Sequence, residues 1–127
     1  MGKGQAAIDI SASADAVWAV VGDYGGIGDW MPGIESCRLD GDDRILELMG
    51  MTITEHLIAK DDAGRVLTYA ITDGVPVESH QGVITVTPEG DVSHVTWNVE
   101  ATPDDMADLM VGMYQSALEA LKTKVEG

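Results

Sequence analysis

The sequence predicts an α+β fold in which a curved antiparallel sheet of about seven strands wraps around a long C-terminal helix, with short helices after the first strand. Three observations predict it. Between residues 34 and 101, segment after segment alternates apolar and polar side chains with the period of a half-buried strand. Most of these segments are separated by Asp- and Gly-rich connections of the hairpin kind, which implies a meander of sequential neighbours. From Met106 onward the apolar residues recur at three- and four-residue spacing, the stripe of an amphipathic helix.

Residues 6–10 form a short strand, after which Ser13 caps a helix reaching Tyr24, with Asp15 in its first turn and Val17, Trp18, Val20 and Val21 on its apolar face. Gly25-Gly26-Ile27-Gly28 ends that helix. Its glycines follow a helix instead of joining a strand to one, so they do not make a phosphate loop. Trp30 closes the bend as a plug at the end of the core. Strands are then expected at 34–39, 44–49, 52–60, 65–72, 79–87 and 92–101. Thr102 supplies a capping hydroxyl and Pro103 the first helical position of a helix running nearly to Glu126. Met106, Leu109, Met110, Met113, Ala117 and Leu121 share one face of it, which must lie on the concave side of the sheet.

With 127 residues and no internal repeat or linker, the chain reads as a single domain, 1–127, that can bury roughly two thirds of its unfolded surface. Its 22 acidic and 7 basic residues give a net charge of −15 with no basic cluster, which argues against nucleic acid and anionic membrane surfaces as partners. The scarcity of Lys and excess of Asp fit a high-salt host, although solubility explains an acidic surface as well. No apolar run has the length of a membrane span, and residues 1–5 lack the hydrophobic stretch of a signal peptide. One cysteine, Cys37, permits no internal disulfide and is expected to be inert packing. A cytoplasmic protein, monomer or homodimer, is the expectation.

One strand carries an anomaly. Ile53, Glu55, Leu57 and Ala59 fall on one face and Thr52, Thr54 and His56 on the other, so an acid stands on the apolar side. Burying an unpaired carboxylate costs several kcal/mol, roughly, so either water reaches Glu55 in a cavity or a partner meets it there. Extending the alternation puts Leu67, Tyr69 and Ile71, then His80, Gly82, Ile84 and Val86, then Val95, Trp97 and Val99 inward. The inward polar inventory is Glu55, Tyr69, His80 and Trp97. His80 either joins a pocket or bonds backbone near a strand end. His56 and His94 alternate outward, which leaves no His/His/carboxylate cluster and no expected metal site. No Ser or Cys nucleophile sits beside a base, and no cofactor motif is present.

Val17-Trp18 in the first helix, Trp30-Met31-Pro32 before the second strand, Glu55-His56-Leu57 with Leu67-Thr68-Tyr69-Ala70-Ile71, and Trp97 before Thr102-Pro103 occur in an order that resembles the START-like, helix-grip or SRPBCC superfamily. The set looks most like its small bacterial polyketide cyclase/dehydrase-type members, and more distantly like the plant abscisic-acid receptors and the pollen allergens. The resemblance implies a hydrophobic ligand gripped between sheet and helix. It places Glu55 at a cavity acid that holds ligand through water, Tyr69 at a cavity aromatic and His80 near a polar wall. Met31 stands where the receptors have a carboxylate-binding lysine, and Met49-Gly50-Met51 replaces their gating loop. A neutral, polar-headed or cationic apolar ligand is therefore expected.

The expected ligand-binding residues are Met31, Glu55, Tyr69, His80, Trp97, Met106, Met110 and Met113. Methionines suit an irregular cavity. The first function they suggest is a carrier or sensor for a small hydrophobic molecule. The alternative is a cyclase or dehydratase acting on a polyketide-like or other carbonyl compound, with Glu55 and His80 as acid and base and Tyr69 orienting substrate. An interaction protein using the outer sheet face ranks last, because Thr52, Thr54, His56, Thr68, Thr96 and Asn98 make that face polar.

Overall fold

The structure, a computed structural model, describes residues 2–127. Strand β1 (Gly2–Ile10) leads to helix α1 (Ala14–Val21) and a 3-10 segment at Tyr24–Asp29. Strands β2 (Ile34–Asp40), β3 (Asp43–Leu48), β4 (Met51–Asp61), β5 (Val66–Asp73), β6 (Ser79–Glu89) and β7 (Val92–Thr102) follow, and helix α2 (Asp104–Glu126) ends the chain. The strands form one antiparallel sheet in the order β1-β7-β6-β5-β4-β3-β2, a meander whose first strand returns to pair with its last. This is the predicted fold class.

Several boundaries differ for local reasons. β1 starts earlier than expected because Gly2 to Gln5 continue the ladder against β7, from Gly2 opposite Ala101. α1 ends before Tyr24 because the Gly22 N–H closes onto the Trp18 carbonyl at 2.7 Å, after which the glycine-rich bend coils into the 3-10 segment. Ser13 does cap α1, its Oγ accepting from the Ala16 N–H at 3.1 Å. Thr102 caps nothing. Its hydroxyl accepts from Ser79 Oγ at 3.0 Å, and Pro103, in an extended conformation, takes the N-cap position instead of the first helical one. Ala59 is exposed and Leu57 only half-buried, because the β4–β5 register shifts between them and turns the end of β4 away from the core.

α2 lies over β1 and β7, burying Ala107, Met110, Tyr114, Ala117, Leu118 and Leu121. β1 can approach this closely because Gly4 has no side chain; a Cβ there would press into Val111. The buried arc is rotated from the predicted one. Leu109 is 59% exposed and Met106 and Met113 are half-buried. These residues face the concave surface of β3–β5, which the helix backbone does not cover, and there the packing opens into a cavity.

Candidate functional site

The β3–β4 hairpin supplies the charged wall. Met49 and Gly50 both have positive φ, +49° and +81°, the geometry of the tight turn that favours hairpins, and this turn sets Leu48 opposite Met51 and Arg44 opposite Glu55. Arg44 and Glu55 are both buried. Arg44 Nε donates to Glu55 Oε1 at 2.6 Å, Nη2 lies 2.6 Å from the same oxygen, and Nη1 donates to the Tyr24 carbonyl at 2.9 Å. The guanidinium also sits 4.1 Å from the centre of the Tyr24 ring. Burial pushes the Glu55 carboxyl above its ordinary range, against the opposing pull of Arg44. The partner that an inward acid requires is thus Arg44, on the apolar face of β3 beside Leu46 and Leu48.

A second polar group is built from phenols. Tyr69 on β5 faces Gly82 on β6, and the ring fits because that position lacks a side chain: a Cβ at Gly82 would come within 2.6 Å of the ring. Trp97 Nε1 donates to Tyr69 Oη at 3.1 Å, Tyr69 donates to Tyr114 Oη at 2.9 Å, and His80 Nε2 lies 3.1 Å from Tyr114 Oη. Trp97 and Tyr114 stack with ring centres 3.9 Å apart. The β5–β6 ladder stops at Tyr69 opposite Gly82, so the Ile71 N–H donates instead to His80 Nδ1 at 3.0 Å. That bond fixes the neutral imidazole with its proton on Nε2. Burial lowers His80 to about 4 and holds both phenols above their usual range, so all three are neutral near pH 7.

The cavity between these groups has a volume of about 240 Å³. Ile27 and Met31 close one end, Leu46, Leu48, Ile53 and Ile71 form the sheet wall, and Met106, Leu109, Met110 and Met113 form the helix wall. Glu55, Tyr69, Trp97 and Tyr114 supply its polar atoms, and Met51, Val75 and Pro76 lie at the rim. Of the residues singled out from the sequence, Met31, Glu55, Tyr69, Trp97, Met106, Met110 and Met113 line this space. His80 does not: it stands behind Tyr114, its ring nitrogens engaged with Ile71 and Tyr114. Glu55 and His80 therefore do not meet at one cavity surface. Arg44 and Tyr114 escaped the sequence reading. The two-residue turn at Met49-Gly50 makes Arg44 and Glu55 cross-strand partners, a register that the sequence only faintly signals.

The outer face holds a separate group, Asp9, Glu89 and His94, at ligand-like spacing, which joins the ends of β1, β6 and β7. Its His94 Nδ1 is 2.6 Å from Asp9 Oδ1, an exposed ion pair remote from the cavity wall. Trp30 is buried and tilts against Trp97 at 5.9 Å. Cys37 is half-buried, and burial raises its thiol above the usual range. Among the described residues no helix is long and apolar enough to cross a membrane.

A seven-strand curved sheet gripping one long C-terminal helix, with a cavity between them, is the architecture of the START-like proteins, and a START superfamily protein of Mycobacterium smegmatis superposes with a TM-score of 0.85 at 15% identity, covering 98% of that chain and 99% of this one. Within that class the chain belongs to the family described as "Polyketide cyclase / dehydrase and lipid transport", whose model matches residues 1–126. It is similar to the protein XoxI of Bacillus cereus, at 31% identity and TM-score 0.92 over 98% of this chain and 96% of that one. A solution structure from Thermobifida fusca matches at 25% identity and TM-score 0.85, over 98% of this chain and 93% of that one. No protein of curated function matches the sequence.

Proposed function

We propose that the chain is a single binding domain, residues 1–127, that holds a small hydrophobic molecule in the cavity between β3–β5 and α2, as a carrier or sensor. The observation that carries this reading is the cavity itself. A core that buries Tyr69, Trp97 and Leu118 almost completely nevertheless keeps about 240 Å³ open, walled by aliphatic and methionine side chains with a few convergent polar groups. Empty space of that size forfeits packing energy that a folded core otherwise collects, which fits a site kept for an occupant. The reading places the protein in the cytoplasm, in keeping with its lone cysteine.

The alternative, carbonyl chemistry with Glu55 and His80 as acid and base, has less support. The position of His80 behind Tyr114 and its bond from the Ile71 N–H weigh against it as a base. Native mass spectrometry of protein purified from its own host, followed by organic extraction, tests the proposal. A specific co-purifying apolar molecule is expected; its release unchanged supports a carrier. Carbonyl groups altered by wild type but not by Glu55→Gln would favour the enzyme. A protein that neither retains nor takes up any apolar molecule would remove the binding reading.

A further inference from the structure

The phenol cluster holds one more proton than it has short hydrogen bonds to take them. Four donors meet there: Trp97 Nε1–H, His80 Nε2–H and the hydroxyls of Tyr69 and Tyr114. The His80 proton is on Nε2 because Nδ1 accepts from the Ile71 N–H. Among the described residues, the oxygens of Tyr69 and Tyr114 are their only mutual acceptors. The three short contacts consume three protons: Trp97 to Tyr69, Tyr69 to Tyr114 and His80 to Tyr114. What remains is the Tyr114 hydroxyl proton, whose one partner is the Met110 thioether, with Oη 4.0 Å from Sδ. Sulfur is a weak acceptor. A phenol that accepts two hydrogen bonds is a stronger donor for doing so, and Tyr114 and Met110 both line the cavity.

We infer that the Tyr114 hydroxyl selects a ligand by donating to a neutral carbonyl oxygen, which displaces the Met110 sulfur as its acceptor. The inference rests on the binding reading given above and deepens it. A carbonyl brings an acceptor and no further proton, which is what a cluster with surplus donors needs. An anionic head is disfavoured, because Glu55 shares the cavity and the Arg44 nitrogens are turned to Glu55 and the Tyr24 carbonyl. The chemical class is therefore a small aliphatic ketone or a like carbonyl compound.

The probes are methyl heptyl ketone and the alkene of the same shape, in which =CH₂ replaces =O. Both are titrated against the intact chain by calorimetry, and the carbonyl stretch of the bound ketone is read by infrared spectroscopy. Water solvates the ketone oxygen and not the alkene, so the affinity ratio is compared between proteins: ketone over alkene should be about tenfold higher in wild type than in Tyr114→Phe, the usual scale of one buried hydrogen bond, and the ketone stretch in wild type should lie at lower frequency than in alkane solvent. Tyr114→Phe, which keeps the ring on Trp97, should leave the alkene affinity nearly unchanged and return the ketone stretch towards the alkane value. A ketone-to-alkene affinity ratio that Tyr114→Phe leaves unchanged, or an unshifted carbonyl in wild type, overturns this inference and leaves the binding site standing. Failure of both probes to bind overturns the binding reading and this inference with it. The infrared result on wild type decides the matter even where the variant does not fold.

Discussion

Arg44 and Glu55 show how one residue pair sets the character of the cavity wall. Both charges are buried, and the guanidinium directs its nitrogens to Glu55 Oε1 and the Tyr24 carbonyl. Removing one partner leaves the other charge uncompensated, which is far costlier than removing both. Arg44→Met is accordingly expected to lower stability by roughly 3–5 kcal/mol, and Arg44→Met combined with Glu55→Gln to recover most of that loss. Urea denaturation of the four proteins of the cycle measures it; equal losses in the single and double variants would dismiss the coupling. The same pair shows what the sequence could convey. Alternation alone placed Glu55 inward, but it does not say which strand faces it. That information lies in the hairpin register, and Met49, a non-glycine residue at positive φ, gives little local sign that the turn holds only two residues.

At the scale of elements, glycine and helix rotation decide where the cavity opens. Gly82 leaves room across the β5–β6 ladder for the Tyr69 ring, so Gly82→Ala should push that ring into the cavity. A loss of about 1–3 kcal/mol in thermal or urea unfolding, together with weaker ligand uptake, is the expected result; full retention of both would contradict the crowding. Along α2, the apolar residues cover more of the helix than the sheet can bury. The pattern marked the helix correctly but could not separate residues facing packed strands, such as Ala107 and Leu118, from those facing open space, such as Met106 and Leu109. Tyr114 was missed because a tyrosine among methionines adds little to a hydrophobic stripe, although it stands four residues after Met110 on the same face. Leu109→Asn should leave the unfolding midpoint nearly unchanged, within about 0.5 kcal/mol, because the side chain is mostly exposed, while weakening uptake of apolar ligand at the rim. A large drop in stability would show instead that Leu109 supports the core.

For the whole molecule, a net charge of −15 and a neutral buried histidine pull stability in opposite directions as the solution is acidified. Protonating surface carboxylates relieves their mutual repulsion and favours the compact state. His80 acts the other way. Its folded value, lowered by burial to about 4, lies below the ordinary value of 6.5 that it regains on unfolding, so the unfolded chain binds the extra proton first. The contribution is fully present above about pH 6.5, is lost as pH falls through the window down to about 4, and changes little below that. From the width of that window the loss amounts to about 3 kcal/mol. His80→Gln removes this titration and leaves the surface carboxylates in place, so the stability difference between wild type and variant isolates it. That difference, followed by urea unfolding, should shift against wild type by about this amount between pH 6.5 and 4; a difference independent of pH would mean that the buried ring does not resist protonation. On full protonation Nδ1 can no longer accept from the Ile71 N–H, and Ile71 lines the cavity wall. Ligand affinity of the folded protein should therefore fall only as the pH approaches about 4, where the folded imidazole itself takes a proton, with Tyr69 and Tyr114, the groups beside it, staying neutral throughout.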